Sequence, residues 1–267
     1  MDVAMFAQAL PLSVSLIGLA GLIRAGEDWV IRKEYGADGV MSGDIVLLQQ
    51  PGRPGSVWTA LRPLLRSDRV LSFCIVGRLA SGAALTVTPW GADHLVGPLL
   101  FFNLALLMFS LLRCGYGADG ADQMLIIVCT GALLAQSGIP AVRSAGLWFV
   151  TGQLVLSFVV AGMAKLSGEE WRSGKAICGI LSTERYGMPA LAGVLTRHGS
   201  LSRLLGWGVI VFEASFFMVL FGVEPLTLAY LGAGLAFHAG VAATMGLNNF
   251  LLSFAPAYPL AAMCLAS

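Results

Sequence analysis

Long apolar segments separated by shorter polar stretches dominate the hydropathy pattern of this chain. They cover residues 5–23, 70–90, 95–113, 124–139, 147–165, 205–222, 226–245 and 250–266. Most of them approach the roughly 20 residues that an α-helix needs to cross the hydrocarbon core of a bilayer. The pattern therefore predicts an all-α integral membrane protein, a polytopic bundle of about eight (seven to nine) transmembrane helices.

Two of these segments are less regular than the others. The fourth is short and ends at Pro140, and the eighth is interrupted by Pro256 and Pro259. Membrane helices tolerate proline where neighbouring groups satisfy the freed backbone, so we expect the eighth segment to kink or to re-enter the membrane. The chain has no internal repeat, and residues 1–267 are expected to form a single transmembrane domain without a separate soluble domain.

The composition supports this class and argues against several others. Hydrophobic residues make up 57% of the chain and charged residues 12%, whereas soluble domains carry about 25% charged residues. No Lys/Arg run with interleaved aromatic residues is present, so nucleic-acid binding is not predicted. The five cysteines form no C-x-x-C pair and the three histidines form no H-E-x-x-H motif. The sequence therefore predicts neither a redox pair nor a metal site.

Basic residues are concentrated in two connections between the predicted spans. Residues 24–69 hold seven of the 16 Lys and Arg residues, and residues 165–203 hold six. By the positive-inside rule, these connections face the cytoplasm and both termini face outward. The connections also contain short apolar stretches with tryptophans suited to the membrane boundary, so we expect interfacial helices within 26–69 and 174–202.

Four ionisable residues occur within or at the end of predicted spans: Arg78, Lys165, Glu213 and His238. Such residues are rare in membranes and are functional candidates by default, because a charge in the hydrocarbon core is costly. Lys165 ends the fifth span, and a buried lysine that loses its proton becomes a base. Gln153, Ser157, Ala161 and Lys165 are spaced four residues apart, which places them on one face of a helix, directed at other helices or at a cavity.

Purely structural interpretations of these residues remain open. Arg78 and Glu213 could form an ion pair between helices, and His238 could donate a hydrogen bond to a facing carbonyl. Lys165 could extend its ammonium to the headgroups, as lysines at helix ends do. At the span boundaries, His94 is expected to be an interfacial histidine and Asp122 to cap the fourth helix.

The stretch from residue 161 to residue 174 reads Ala-Gly-Met-Ala-Lys-Leu-Ser-Gly-Glu-Glu-Trp-Arg-Ser-Gly. It resembles the Ala-Gly-x-x-Lys-Leu…Trp…Gly signature of the vitamin K-dependent γ-carboxylase-like membrane proteins, also called the horizontally transferred transmembrane (HTTM) family. Residues 212–216 and 237–250 are similar to two further family segments, Leu-Glu-Leu-Ser/Phe and Phe-His…Gly-x-x-Phe. Residues 39–44 and 117–124 look like those of bacterial members, so the resemblance implies a bacterial-type cytoplasmic membrane.

The resemblance implies a chemistry. In the carboxylase, the signature lysine deprotonates vitamin K hydroquinone, oxygen adds, and the strong base that forms removes a proton from a substrate glutamate, which then captures carbon dioxide. The matching residue is Lys165; Glu213 and His238 would position the ligand or relay protons, and Arg78 would stabilise negative charge. His94 is the nearest counterpart of the second catalytic histidine. The other residues predicted to line the quinone pocket are Gln153, Ser157, Trp171, Asn248 and Asn249.

The sequence also departs from the carboxylase and leaves other functions open. The carboxylase carries a large recognition domain without a counterpart in these 267 residues. Its active site faces away from the cytoplasm, whereas the charge rule places Lys165 near the cytoplasmic side. The alternatives are a non-catalytic accessory subunit for maturation or export of a secreted peptide or toxin, a DoxX/MauE-like quinone redox partner, and a transporter, although the chain shows no inverted repeat.

Overall fold

A computed structural model describes residues 3–36, 39–49, 57–113, 120–184 and 186–266, and every regular element within these ranges is helical. These residues form two compact units, one of residues 10–146 and one of residues 147–266 with residues 3–9. The sequence features at residues 37–38, 51–55, 114, 117–119 and 185 lie outside the described residues.

The unit of residues 10–146 contains most of α1 and the next five α-helices. These helices are α1 (Val3–Val30), α2 (Gly43–Gln49), α3 (Val57–Arg66), α4 (Asp68–Val87), α5 (Asp93–Arg113) and α6 (Gly120–Ala135). Short 3-10 helices lie at Arg32–Tyr35 and Thr88–Trp90. The first turns of α7 (Pro140–Ser167) also belong to this unit.

The second unit contains the rest of α7 and the helices that follow it. These are α8 (Glu169–Arg172), α9 (Lys175–Leu181), α10 (Pro189–Arg197), α11 (Gly199–Ala214), α12 (Glu224–Met245), α13 (Asn248–Phe254) and α14 (Ala257–Leu265). A 3-10 helix, Phe216–Phe221, continues from the end of α11.

Six helices among the described residues are long and apolar enough to cross a membrane, in agreement with a multi-pass membrane protein. They are α1 from Gln8, α4 with its following 3-10 turn, α5, α7, α11 with its following 3-10 helix, and α12. Each coincides with a predicted span. The fourth predicted span forms the shorter α6, and the eighth forms α13 and α14, which are separated at Ala255 and Pro256.

Glycines bring α1 and α4 into close contact in the first unit. A Cβ atom added at Gly18 would lie 2.7 Å from the carbonyl oxygen of Gly82, and one added at Gly82 would lie 2.8 Å from the carbonyl oxygen of Gly18. Small residues permit this approach of two backbones, which is a common way for membrane helices to pack. The next helix joins by a polar contact, since the buried Asn103 amide donates to Ser81 Oγ over 2.8 Å.

The second unit is built around an aromatic cluster and one close helix contact. Phe158 of α7 stacks on Phe216 with ring centroids 4.1 Å apart, and Phe212 and Phe254 contact the same ring. Four residues after Phe158, the backbone of Gly162 lies so near Ala214 that there is no room for a Cβ atom. The glycine therefore fixes the distance between α7 and α11 at the position from which their charged side chains extend.

Candidate functional site

Lys165 and Glu213 form an ion pair between α7 and α11. Lys165 Nζ lies 2.6 Å from Glu213 Oε2, and the two side chains are 19% and 3% exposed. The ammonium is directed at a buried carboxylate on the neighbouring helix, which agrees with the inward direction expected from the four-residue spacing. Each charge offsets part of the cost of removing the other from water.

The indole of Trp171 lies on the ammonium of the same pair. Lys165 Nζ is 5.1 Å from the centre of the indole ring, within the range of a cation–π interaction. This contact requires the chain to turn after α7, and it does so at Gly168, the extended residue that precedes α8. The turn at Gly168 therefore brings two residues of the signature, Lys165 and Trp171, into contact.

Two further glycines hold α8 in this place. Gly174 has a φ angle of +84°, in the left-handed region that favours glycine, and a Cβ atom there would lie 2.6 Å from the backbone nitrogen of Arg203. Gly206 of α11 faces the carbonyl oxygen of Trp171, which would be 2.8 Å from an added Cβ atom. Gly174, the last residue of the signature, thus permits the close approach of α11 to the segment that follows Trp171.

The ion pair adjoins the aromatic interior of the unit. Phe158 precedes Lys165 by seven residues, which places it on the same face of α7 about 10 Å away along the axis. Its ring meets the ring of Phe212 at a centroid distance of 5.5 Å, and Phe212 directly precedes Glu213 in the chain. The side of the pair toward Phe158 and Phe212 is therefore apolar protein. The other side of the site is formed by Trp171 and by the exposed part of Lys165.

His238 lies within the aromatic cluster and not against the ion pair. Its ring centroid is 4.3 Å from that of Phe254 and 5.5 Å from that of Phe158, and the residue is 5% exposed. Its Nε2 atom has no hydrogen-bond partner among the described residues, so the suggested bond to a facing carbonyl does not form through this atom. The structure therefore separates His238 from Lys165 and Glu213.

The remaining pocket candidates of this unit make no described contact with the pair. Gln153 and Ser157 are partly buried on α7, and the Ser157 hydroxyl donates to the backbone carbonyl of Gln153 over 2.8 Å. Asn248 is exposed at the first position of α13, and Asn249 is partly buried beside it. The four residues spaced along α7 at 153, 157, 161 and 165 are all partly buried. Lys165, the ionisable residue among them, contacts the neighbouring helix through Glu213.

Arg78 belongs to a different buried network, in the unit of residues 10–146. Its Nη1 atom lies 2.6 Å from Asp28 Oδ2, and the Tyr35 hydroxyl donates to Asp28 Oδ1 over 2.8 Å. The suggested Arg78–Glu213 ion pair is therefore wrong, because each residue has another partner. His94 is exposed at the second position of α5.

The predicted first span ends at residue 23, so Asp28 is not among the predicted intramembrane residues. The helix continues to Val30, so that Arg24 and Asp28 lie one turn apart on it. Arg24 Nη2 reaches Asp122 Oδ2 at 3.3 Å. Asp122 is the third residue of α6, so its predicted role as the N-cap is wrong.

A pocket of about 220 Å³ lies at the opposite end of α12 from Met245. It is lined by Gly222, Glu224, Thr227, Leu228, Ala262, Leu265 and Ala266. None of the predicted site residues lines it. Glu224 supplies a carboxylate and Thr227 a hydroxyl, and the other lining residues are glycine, alanine and leucine. The ion pair remains the stronger candidate site, since it combines a buried acid, a cation and an aromatic ring.

Within the described residues, no group of three or more His, Cys, Asp or Glu side chains is arranged to hold a metal ion. No protein-family model, curated protein or solved structure matches the chain. The candidate site is thus defined by the geometry of Lys165, Glu213 and Trp171, and the HTTM resemblance stays a prediction.

Proposed function

We propose that this chain is a multi-pass membrane enzyme of the HTTM type, in which Lys165 and Glu213 exchange a proton with a lipid-soluble quinol or a related reductant. The 2.6 Å contact between Lys165 Nζ and Glu213 Oε2 carries the proposal. An acid and a base in hydrogen-bond contact, surrounded by apolar helices, form a site where a proton moves with little rearrangement.

The residues around the pair suit a flat, aromatic ligand. The indole of Trp171 offers a ring face, and Lys165 offers a cation that is 19% exposed. Both side chains are partly exposed, and in this proposal a ligand dissolved in the bilayer binds to their exposed parts. When bound, a quinol supplies reducing electrons and an ionisable hydroxyl group. Trp171 would hold the ring, and Lys165 would attract the oxygen.

The pair gives the two residues distinct roles in proton transfer. Since Lys165 is paired with Glu213 as a cation, the Glu213 carboxylate is the group that accepts a proton from the ligand in this proposal. Once the carboxylate is neutral, the ammonium at Lys165 Nζ is left without a counter-charge and stabilises an anion beside it. The predicted base is thereby assigned to the pair: Glu213 holds the proton, and Lys165 makes the transfer favourable.

The proposal includes the full membrane arrangement expected from the sequence. Six helices are long and apolar enough to cross the membrane, and we propose that α6 and the α13–α14 segment also cross it, which would give eight crossings. The short helices α2, α3, α9 and α10 lie at the membrane boundary, with both basic connections in the cytoplasm of a bacterial-type cell. The apolar cluster of Leu181, Ala192 and Leu195 joins α9 to α10 and supports their pairing as one boundary element.

Quinol binding and quinol oxidation by the purified protein in lipid nanodiscs, with dioxygen supplied as the electron acceptor, test the proposal. The probes are menaquinol and a vitamin K hydroquinone, with binding followed by quenching of tryptophan fluorescence. We expect Glu213→Gln and Lys165→Met to abolish turnover, and Trp171→Leu to weaken binding. Lys175→Met, an exposed lysine on α9, is the matched control. Turnover that survives in a folded Glu213→Gln variant would contradict the assigned proton acceptor.

One observation favours the accessory-subunit alternative. Both Lys165 and Arg78 have acidic partners inside their own units, and such closed ion pairs can order a bundle without any chemistry. On that reading, the protein from native membranes carries no extractable quinone and co-purifies with a defined partner in fixed stoichiometry. Extracted quinone, quantified by mass spectrometry and lost in Trp171→Leu, would instead support the enzyme.

A further inference from the structure

Two buried polar atoms of the second unit have no hydrogen-bond partner among the described residues. They are Nε2 of His238 on α12 and the hydroxyl oxygen of Tyr258 on α14. The residues are only 5% and 6% exposed. Buried polar side chains are generally bonded to protein groups or to ordered water, so two such atoms in one region call for an explanation.

The helix geometry brings the two side chains to the same turn of α12. Gly234 lies one turn before His238, and a Cβ atom at Gly234 would be 2.8 Å from the Tyr258 hydroxyl. Side chains on a helix tilt toward its N-terminus, so the ring of His238 covers the turn that contains Gly234. The centroids of the imidazole and phenol rings are 6.4 Å apart. Gly234 thus leaves the space that the hydroxyl occupies.

The surroundings of these two atoms select a neutral ligand. Phe254 and Phe158 contact the imidazole ring, and neither offers a hydrogen bond or a counter-charge. A charged ligand in such a place would be strongly disfavoured. A water molecule is neutral, and it donates and accepts hydrogen bonds, as a hydroxyl and an imidazole nitrogen require.

We propose that His238 Nε2 and Tyr258 Oη bind a single water molecule between α12 and α14. The bound water satisfies both side chains, ties the C-terminal helix to α12, and fixes the orientation of the His238 ring. The proposal is independent of quinol chemistry at Lys165 and Glu213, because it concerns other side chains and a different measurement.

The thermal stability of Tyr258→Phe gives opposite results for a hydrated and a dry site. If a water is bound, removing the hydroxyl breaks a hydrogen bond and lowers Tm by about 2–4 °C. If the site is dry, Phe removes an unpaired buried hydroxyl and raises Tm. We expect the first result, and we expect the loss in Tyr258→Phe combined with His238→Phe to be smaller than the sum of the single losses.

Tyr230→Phe is the matched control, because the Tyr230 hydroxyl contacts Ser215 Oγ over 2.8 Å. It calibrates the Tm change for the loss of one direct hydrogen bond in the same unit. A cryo-EM map that resolves ordered water is the second readout, and it does not depend on the variants folding. Density within hydrogen-bond distance of both atoms supports the proposal. A raised Tm in Tyr258→Phe, or a direct bond between Oη and Nε2, overturns it.

Discussion

Lys165 Nζ and Glu213 Oε2 lie 2.6 Å apart, although 48 positions separate the two residues in the sequence. The pair joins α7 to α11 at the level where Gly162 lets their backbones approach. Its two charges depend on each other, since either one alone would remain in an apolar interior without compensation. The stability of the unit should therefore respond differently to removing one charge and to removing both.

We expect Lys165→Met to lower the free energy of unfolding by about 3–5 kcal/mol, because it leaves the Glu213 carboxylate buried and unpaired. Lys165→Met combined with Glu213→Leu should recover most of this loss, since it removes both charges together. Thermal unfolding in a lipid-like detergent measures both effects. Lys175→Met, on the exposed face of α9, should change stability by no more than about 0.5 kcal/mol. Equal losses in the single and double variants would contradict this coupling.

Two glycines of α7 provide a matched test of the close approach to α11. A Cβ atom at Gly162 would collide with the backbone of Ala214, whereas Gly152 has no atom within 4 Å of the corresponding position. Gly162→Ala should therefore force the helices apart and lower Tm. Gly152→Ala should stabilise the helix by about 0.5–1 kcal/mol, because alanine has the higher helix propensity. An unchanged Tm in Gly162→Ala would mean that α7 and α11 move apart without a loss of stability.

The helices of this fold follow from the sequence because the signal for each is local. About 20 apolar residues in succession predict a membrane helix without knowledge of its neighbours. The ends of the helices are less predictable. For α1, the predicted span ends at residue 23, whereas the helix continues to Val30. Its charged last turn looks like a connection, although Asp28 is paired within the fold to Arg78. A charged residue after an apolar run therefore does not by itself mark the end of the helix, because a residue of opposite charge on another helix can pair with it.

The partners of the charged residues were not predictable in the same way. Pairing Lys165 with Glu213 requires knowing which helices adjoin and how far each is rotated, and a single sequence holds neither. The four-residue spacing on α7 did indicate the face that carries Lys165. The place of His238 also depended on the fold, because an aromatic cage assembled from α7, α12 and α13 surrounds it.

The orientation in the membrane can be measured with cysteines at the two ends of α7. Lys175 is exposed beyond its C-terminal end, and Gly138 is exposed just before its N-terminal end. The positive-inside rule places the first in the cytoplasm and the second outside. In a variant without native cysteines, Gly138→Cys should react with a membrane-impermeant maleimide in intact cells, and Lys175→Cys should react only after lysis. The reverse pattern would contradict the charge-based orientation, and equal labelling would contradict the crossing.

Two arginine–aspartate pairs of the first unit differ mainly in burial, and this difference predicts their energies. The Arg78 and Asp28 side chains are 2% and 10% exposed, whereas those of Arg66 and Asp44 are 52% and 41% exposed. Arg78→Met removes the cation that bonds the buried Asp28 carboxylate and leaves the Tyr35 hydroxyl as a hydrogen-bond donor to it, with Arg24 one turn away on α1. We expect a loss of about 3–5 kcal/mol.

Arg66→Met, the matched control, should cost at most about 1 kcal/mol, because water and salt screen an exposed pair. Raising the salt concentration should further reduce the effect of Arg66→Met and leave that of Arg78→Met nearly unchanged, since buried charges are little screened. Thermal unfolding of both variants at low and high salt gives the comparison. Similar losses for the two would mean that Arg78 is hydrated in the membrane-inserted protein, and the network around Asp28 would then be open to water.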